Sequence, residues 1–82
     1  MEFIYDTQLL IEGKNLDENK IRKYFETNFN GDSLLVVGDT AVIKAHYHTN
    51  EPWKVLEYCA SLGGIFDIVI ENMYRQEREL KG

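Results

Sequence analysis

Residues 2–12 alternate in character. Phe3, Tyr5, Thr7, Leu9 and Ile11 fall on one side of an extended chain, and Ile4, Asp6, Gln8 and Leu10 on the other, because successive side chains of a strand point to opposite faces. The first set is mostly apolar and β-favouring, which predicts a strand with that set toward the core and Asp6 and Gln8 on the far face. Gly13-Lys14-Asn15 ends it. The period then changes to that of a helix over 18–29, where Ile21, Tyr24, Phe25 and Asn28 or Phe29 recur at helical spacing and Arg22, Lys23 and Glu26 turn outward. Asp17 is the expected N-cap, with Leu16 before it packing on Ile21 as a hydrophobic staple, and Asn30-Gly31-Asp32 stops the helix.

A short apolar strand follows over 33–37. Gly38-Asp39-Thr40 has the chemistry of a tight turn, so 41–48 is expected to return as a hairpin. On the returning strand Ile43, Ala45 and Tyr47 form the apolar side, while Lys44, His46 and His48 share the other. Asn50 is expected to cap a second helix with Pro52 in its first turn. Its buried stripe is read as Trp53, Leu56 and Ala60 with Val55 and Cys59, and Gly63-Gly64 closes it. Residues 65–71 read as a fourth strand with Phe66, Ile68 and Ile70 inward and Asp67, Val69 and Glu71 outward. Residues 73–82 are a charged tail that reads as a helical linker toward a further domain, leaving 1–72 as one folded unit.

The order β-α-β-β-α-β, with right-handed crossovers, predicts an α+β two-layer sandwich of the ferredoxin or ACT type: a four-stranded antiparallel sheet with two helices on one face. In its usual strand order, 4-1-3-2, the first and third strands are antiparallel neighbours. The start of the first then meets the end of the third. Asp6, His46 and His48, forty residues apart in the chain, are brought to one corner of the face away from the helices.

Composition narrows what such a fold can do. The chain has 82 residues, enough for one small core, and 44% of them are hydrophobic. No apolar run is long enough to span a membrane, and the start lacks the basic-then-apolar plan of a signal peptide. One cysteine, Cys59, excludes an internal disulfide framework and suits a reducing cytoplasm. A net charge of −5 argues against nucleic acid, whose phosphates call for a basic footprint. There is no Walker or dinucleotide glycine motif, so the chain is not expected to handle a nucleotide by itself.

Two imidazoles and a carboxylate are a three-ligand set that Zn²⁺ accepts, and so do Fe²⁺ and Mn²⁺. The competing reading is three polar residues on a solvated sheet face. Gln8, Lys44 and Asp67 are on the same predicted face, either orienting the ligands or simply solvated. Just past the histidines, Thr49-Asn50 with Pro52 places a helix N-terminus that suits either an anion or ordinary capping by Asn50. Cys59, in an apolar helical stripe with no histidine nearby, reads as an inert buried thiol rather than a nucleophile. Trp53 reads as partly buried rather than as an exposed partner anchor.

Three strings carry a resemblance: Tyr5-Asp6-Thr7-Gln8-Leu9-Leu10-Ile11-Glu12-Gly13, Gly31-Asp32-Ser33-Leu34-Leu35-Val36-Val37-Gly38-Asp39 and Lys44-Ala45-His46-Tyr47-His48-Thr49-Asn50-Glu51-Pro52. Together with Val55-Leu56-Glu57-Tyr58 and Glu71-Asn72-Met73 with Gln76 they resemble the middle domain of a dihydroxyacetone-kinase-related protein, the ATP-binding subunit of bacterial fatty-acid kinase. The resemblance implies that ATP and Mg²⁺ belong to an N-terminal domain outside this chain, and that a C-terminal domain resembles the acyl-carrier partner. It also implies that the middle domain mediates dimer contacts and carries a Cys-His-His set linked to zinc and to activity. His46 and His48 match the two histidines. Asp6 stands where many members have cysteine, and its carboxylate is a harder ligand than thiolate.

The expectation is therefore the central domain of a fatty-acid-kinase-like, cytoplasmic phosphotransferase subunit. Asp6, His46 and His48 are its metal or active-site cluster, with zinc first and iron or manganese as alternatives. His46 and His48 would act in catalysis only within the intact protein, and the isolated domain would have no activity. Expected partners are the other domains of the same kinase chain, an acyl-carrier partner protein and a second copy of the chain, with no nucleic acid and no membrane span. The alternative is an ACT-like regulatory or dimerisation module that binds a small metabolite or itself. A stand-alone metal hydrolase would need a general base, and the sequence offers none beyond Asp6.

Overall fold

Four strands form one sheet in the order β2-β3-β1-β4, antiparallel at every pairing. This is the predicted 4-1-3-2 order seen from the opposite edge. The computed structural model describes residues 2–75 and Glu77. Along the chain the elements are β1 (Tyr5–Glu12), α1 (Glu18–Asn28), β2 (Gly31–Gly38), β3 (Val42–Thr49), α2 (Pro52–Leu62) and β4 (Gly64–Asn72). The fold is the expected α+β sandwich, its helices packed on one side of the sheet.

The core lies between the two layers. Thr7, Leu9 and Ile11 of β1 and Ile43, Ala45 and Tyr47 of β3 are buried, as the alternation predicts, and so is Val36 of β2. Against them pack Leu16, Ile21 and Phe25 from the first helical segment and Val55 and Cys59 from α2. The Asp17 side chain accepts the Lys20 N–H at 3.1 Å, and Leu16 and Ile21, at the two staple positions, are both in the core. Phe25 is the hub. Its ring meets those of Phe29 (5.1 Å, 87°), Tyr47 (5.3 Å, 88°) and Tyr58 (6.1 Å, 78°) edge to face.

The second half of the chain departs from the predicted phases in three places. In α2 the buried residues are Pro52, Val55 and Cys59, whereas Trp53 is 59% exposed and Ala60 also faces outward. The stripe is rotated by one residue, so Pro52 rather than Trp53 is the inward member of the first turn. Asn50 is not the cap. The cap residue is Glu51, without a side-chain bond, while Asn50 accepts the Ile4 N–H at 2.8 Å and donates to the Glu2 carbonyl at 3.0 Å. Thr49 takes over locally, its hydroxyl accepting the Glu51 N–H at 3.2 Å and donating to the Asn30 carbonyl at 3.0 Å.

The third departure is in β4. Gln8 pairs with Val69 and Leu10 with Phe66, so Leu9 alone faces both Asp67 and Ile68. This is a β-bulge, with Asp67 in the left-handed region at φ 50. An extra residue reverses the alternation, so Phe66 shares the open face with its partner Leu10 instead of turning inward. Val69 and Glu71 lie outward as predicted, and Ile70, opposite Thr7, keeps the helix side. As an edge strand β4 is thinly covered, and Phe66, Ile68 and Ile70 all remain exposed. A matching bulge on β2 sets Ser33 (φ 55) and Leu34 against Tyr47 alone.

The β2–β3 turn is held by one carboxylate. Asp39 Oδ1 accepts the Ala41 N–H at 2.8 Å and the Val42 N–H at 2.9 Å. These backbone bonds, that from Val42 first, hold its carboxyl below the usual value of 3.8. A carboxyl depressed in the folded state gives stability that is present above its unfolded pKa and lost as pH falls through the folded one. Asp39→Ala should therefore lower the melting temperature at neutral pH and flatten its decline below about pH 4. Melting curves at pH 7 and pH 3 check this, and equal curves for the two proteins would refute it.

At the C-terminal end the Met73 N–H bonds to the Ile4 carbonyl at 2.9 Å, and Asn72 Oδ1 accepts the Arg75 N–H at 3.1 Å. Residues 73–75 and Glu77 are helical. The rest of the predicted helical linker lies outside the described residues.

Candidate metal centre

Cross-strand partners in a sheet share a face, so the register of β1 against β3 decides the site. Asp6 pairs with His48, and Gln8 with His46. The inward alternation of Ile43, Ala45 and Tyr47 turns both imidazoles to the open face, with Tyr47 buried between them on the reverse. Nε2 of His46 lies 2.8 Å from Asp6 Oδ1, and Nε2 of His48 lies 3.9 Å from the same oxygen. The two rings meet at 5.0 Å and 86°. All three side chains are half-buried, at 22–26% exposure.

One donor atom from each of Asp6, His46 and His48 lies within 4.8 Å of the others. Two donors on one ion at ~2.1 Å each can stand no more than ~4.2 Å apart, so closing the trio on a cation takes side-chain shifts on the order of 1 Å. Two borderline nitrogens and one hard oxygen suit Zn²⁺, Fe²⁺ or Mn²⁺. The residues fit a divalent ion.

The neighbours sort differently from their sequence reading. Gln8 belongs to the site, since its Nε2 donates to Asp6 Oδ1 at 3.5 Å. Lys44 and Asp67, among the described residues, make no hydrogen bond or ion pair with the trio. Cys59 is buried, and loss of solvent pushes its thiol up to about 12, which keeps it neutral and unreactive as expected. The start of α2 already carries a carboxylate, Glu51, paired with Lys54 at 3.0 Å, and the anion reading of that helix end goes no further.

One residue is new. Asp32 pairs with His48 from the β2 side, and its Oδ1 lies 3.6 Å from His48 Nδ1. By sequence pattern alone Asp32 belongs to a helix stop and the strand begins at 33. The signal for an earlier start was Gly31. A Cβ there would stand 2.2 Å from the His48 carbonyl and 2.5 Å from the Tyr47 ring, so only glycine lets β2 come this close at the level of His48.

Residues 2–80 match the family model for the middle domain of FakA-like fatty acid kinase proteins. The chain belongs to that family. Uncharacterized proteins of Staphylococcus aureus strains USA300, NCTC 8325 and N315 are each 38% identical to it over 80 residues, covering 93% of this chain and 14% of their own length. The chain thus spans about one-seventh of the length of the curated relatives it matches. For this FakA-like middle domain, the matched span includes Asp6, Asp32, His46 and His48 together with all six elements.

Proposed function

We propose that the chain is the central domain of a fatty-acid-kinase-like phosphotransferase subunit, and that Asp6, His46 and His48 bind a divalent cation there. The observation that carries this reading is the convergence of three donor atoms within 4.8 Å in a chain of this family. Zinc leads the candidates, and a carboxylate at position 6 also admits the harder Fe²⁺ and Mn²⁺. ATP and Mg²⁺ belong to a separate N-terminal domain, so the middle domain alone transfers no phosphate. In the intact kinase chain Asp6, His46 and His48 would hold the cation, whose positive charge would stabilise an acyl phosphate beside them. The other domains of that chain, an acyl-carrier partner protein and a second copy of the chain are the partners this reading names. Its compartment is the cytoplasm. Among the described residues no helix is long and apolar enough to cross a membrane.

The test is elemental analysis of the purified chain, with melting before and after a chelator. About one divalent ion per chain is expected. An ion present at 100 times its Kd stabilises by about 2.7 kcal/mol, which for a domain of this size raises the melting temperature by roughly 10–20 °C. Absence of metal, with melting unmoved by either chelator or added Zn²⁺ or Mn²⁺, would sink the cation reading.

A second reading, the ACT-like regulatory or dimerisation module, is favoured by exposed apolar side chains on the same open face. Leu35 sits beside His46, Val37 beside Lys44, Val69 beside Gln8 and Phe66 beside Leu10, each 39–44% exposed. The His46→Ala, His48→Ala pair in the full-length kinase protein separates the two. Lost kinase activity favours the metal centre, and retained activity favours the module.

A further inference from the structure

We propose that Asp32 is a positioning residue for His48: it holds the ring proton on Nδ1 and so leaves Nε2 bare toward the cation. This rests on the metal-centre reading above, and it concerns a residue outside the three-ligand set. A neutral imidazole has one proton and two nitrogens, and only the bare nitrogen can ligate. His48 presents Nε2 to Asp6, at 3.9 Å, and Nδ1 to Asp32, at 3.6 Å. Free histidine side chains favour the proton on Nε2, the wrong nitrogen for this site. A carboxylate beside Nδ1 draws it to the other side.

Two anions therefore compete for the His48 proton, and the backbone decides how they are placed. Asp6 stands opposite His48 on β1, and Asp32 opposite it on β2, so the imidazole is flanked by carboxylates in a single row across the sheet. Asp6 is the oxygen donor of the trio. A cation on its Oδ1 withdraws that carboxylate from the contest and leaves Asp32 as the proton's partner. The fold supplies two devices that keep Asp32 in place. Gly31 allows β2 to close on the His48 carbonyl, and the bulge at Ser33 (φ 55) begins directly after Asp32. A carboxylate hydrogen-bonded to the far nitrogen of a ligating histidine fixes the tautomer and raises ligand basicity, and losing it costs roughly 10–100-fold in metal affinity. Asp32 stands in ion-pair range at 3.6 Å and reaches that bond with a shift on the order of a few tenths of an ångström. The Asp32 side chain is 61% exposed, so water screens part of its effect and the low end of that range applies.

The experiment uses the chain itself with Asp32→Ala and Asp32→Glu. Long-range ¹H–¹⁵N imidazole spectra of the metal-free proteins at about pH 8, above the ordinary imidazole pKa, read the His48 tautomer directly. His46 serves as the internal reference. Competition between the protein and a chromophoric chelator for Zn²⁺ reads affinity. Expected is a larger Nδ1–H population at His48 in the wild type than in Asp32→Ala, roughly tenfold weaker Zn²⁺ binding in Asp32→Ala, and recovery of both in Asp32→Glu. A His48 tautomer that does not change between wild type and Asp32→Ala overturns the proposal, as does an unchanged Zn²⁺ affinity. If the wild type takes up no Zn²⁺, the metal-centre reading fails, and the metal-free spectra still decide whether Asp32 governs the His48 ring. Melting curves of the three metal-free proteins should coincide, because the Asp32 side chain is largely exposed.

Discussion

Phe25→Ala should remove about 3–5 kcal/mol of stability, the cost typical of emptying a fully buried aromatic position. Phe25 has no exposed surface and meets three other rings edge to face. A domain of this length has roughly 0.05–0.15 kcal/mol per residue in total, so the loss takes about a quarter or more of what it has. At about 4–8 °C per kcal/mol the melting temperature should fall by tens of degrees. Tyr24→Ala is the contrast. Tyr24 stacks on Tyr58 at 3.7 Å and 4° but is 40% exposed, so its loss should cost less than that of Phe25, the stacking supplying about 0.5–1.5 kcal/mol beyond the area it covers. Urea and thermal unfolding of both variants check the ranking. Near-equal midpoints for Phe25→Ala and wild type would show that the aromatic hub does not hold the layers together. The effect also reaches the site, because one of the three rings on Phe25 is Tyr47, which backs the strand between His46 and His48.

Where a local rule governed, the sequence was legible. The alternation of β1 and β3 placed Thr7, Leu9, Ile11, Ile43, Ala45 and Tyr47 inside, because both strands are central and one face of each is fully covered. Asp17 and Leu16 behaved as their positions demanded, since an N-cap and a staple depend on residues within one turn. The misses share a physical cause: each was decided by a partner far along the chain. Asn50 before Glu51-Pro52 has every local mark of a cap, yet its amide is taken by Glu2 and Ile4, 48 and 46 residues away. Pro52 and Trp53 are adjacent and apolar, and only the placement of α2 on the sheet chooses which one turns inward.

Bulges were the other blind spot. The left-handed positions at the two bulges are Ser33 and Asp67, neither of them the glycine that would announce such a residue. The β4 bulge moves Phe66 to the open face, and the β2 bulge follows Asp32, whose place beside His48 no local pattern marks. Asp6, His46 and His48 escaped this problem. They lie on β1 and β3, whose mutual register runs without a break from Tyr5–Thr49 to Glu12–Val42. Parity and strand order were then enough to bring them together. What parity cannot supply is the choice of ion, since nitrogen and carboxylate donors serve several.

That choice should turn on position 6. Asp6 Oδ1 is the atom that both histidine Nε2 atoms face, so Asp6→Ala takes away the shared donor and leaves two imidazoles. Zn²⁺ and Mn²⁺ should both bind more weakly, by more than the roughly 10–100-fold typical of losing a residue that only supports a ligand. Asp6→Cys keeps three donors and changes their softness. Zn–S bonds are about 2.3 Å against about 2.0–2.2 Å for Zn–O, so the thiolate can close on the ion with small adjustments of β1. Its softness favours Zn²⁺ and disfavours Mn²⁺. The measured quantity is the ratio of Zn²⁺ to Mn²⁺ affinity, by competition titration at one pH, for wild type, Asp6→Ala and Asp6→Cys. The ratio should rise in Asp6→Cys, and absolute affinity should fall for both ions in Asp6→Ala. Wild-type affinity in Asp6→Ala would mean that the carboxylate does not touch the ion. An unchanged ratio in Asp6→Cys would mean that position 6 does not set the preference. If both expectations hold, the two strands divide the work: β3 supplies the two imidazoles, and β1 supplies the donor that selects the metal.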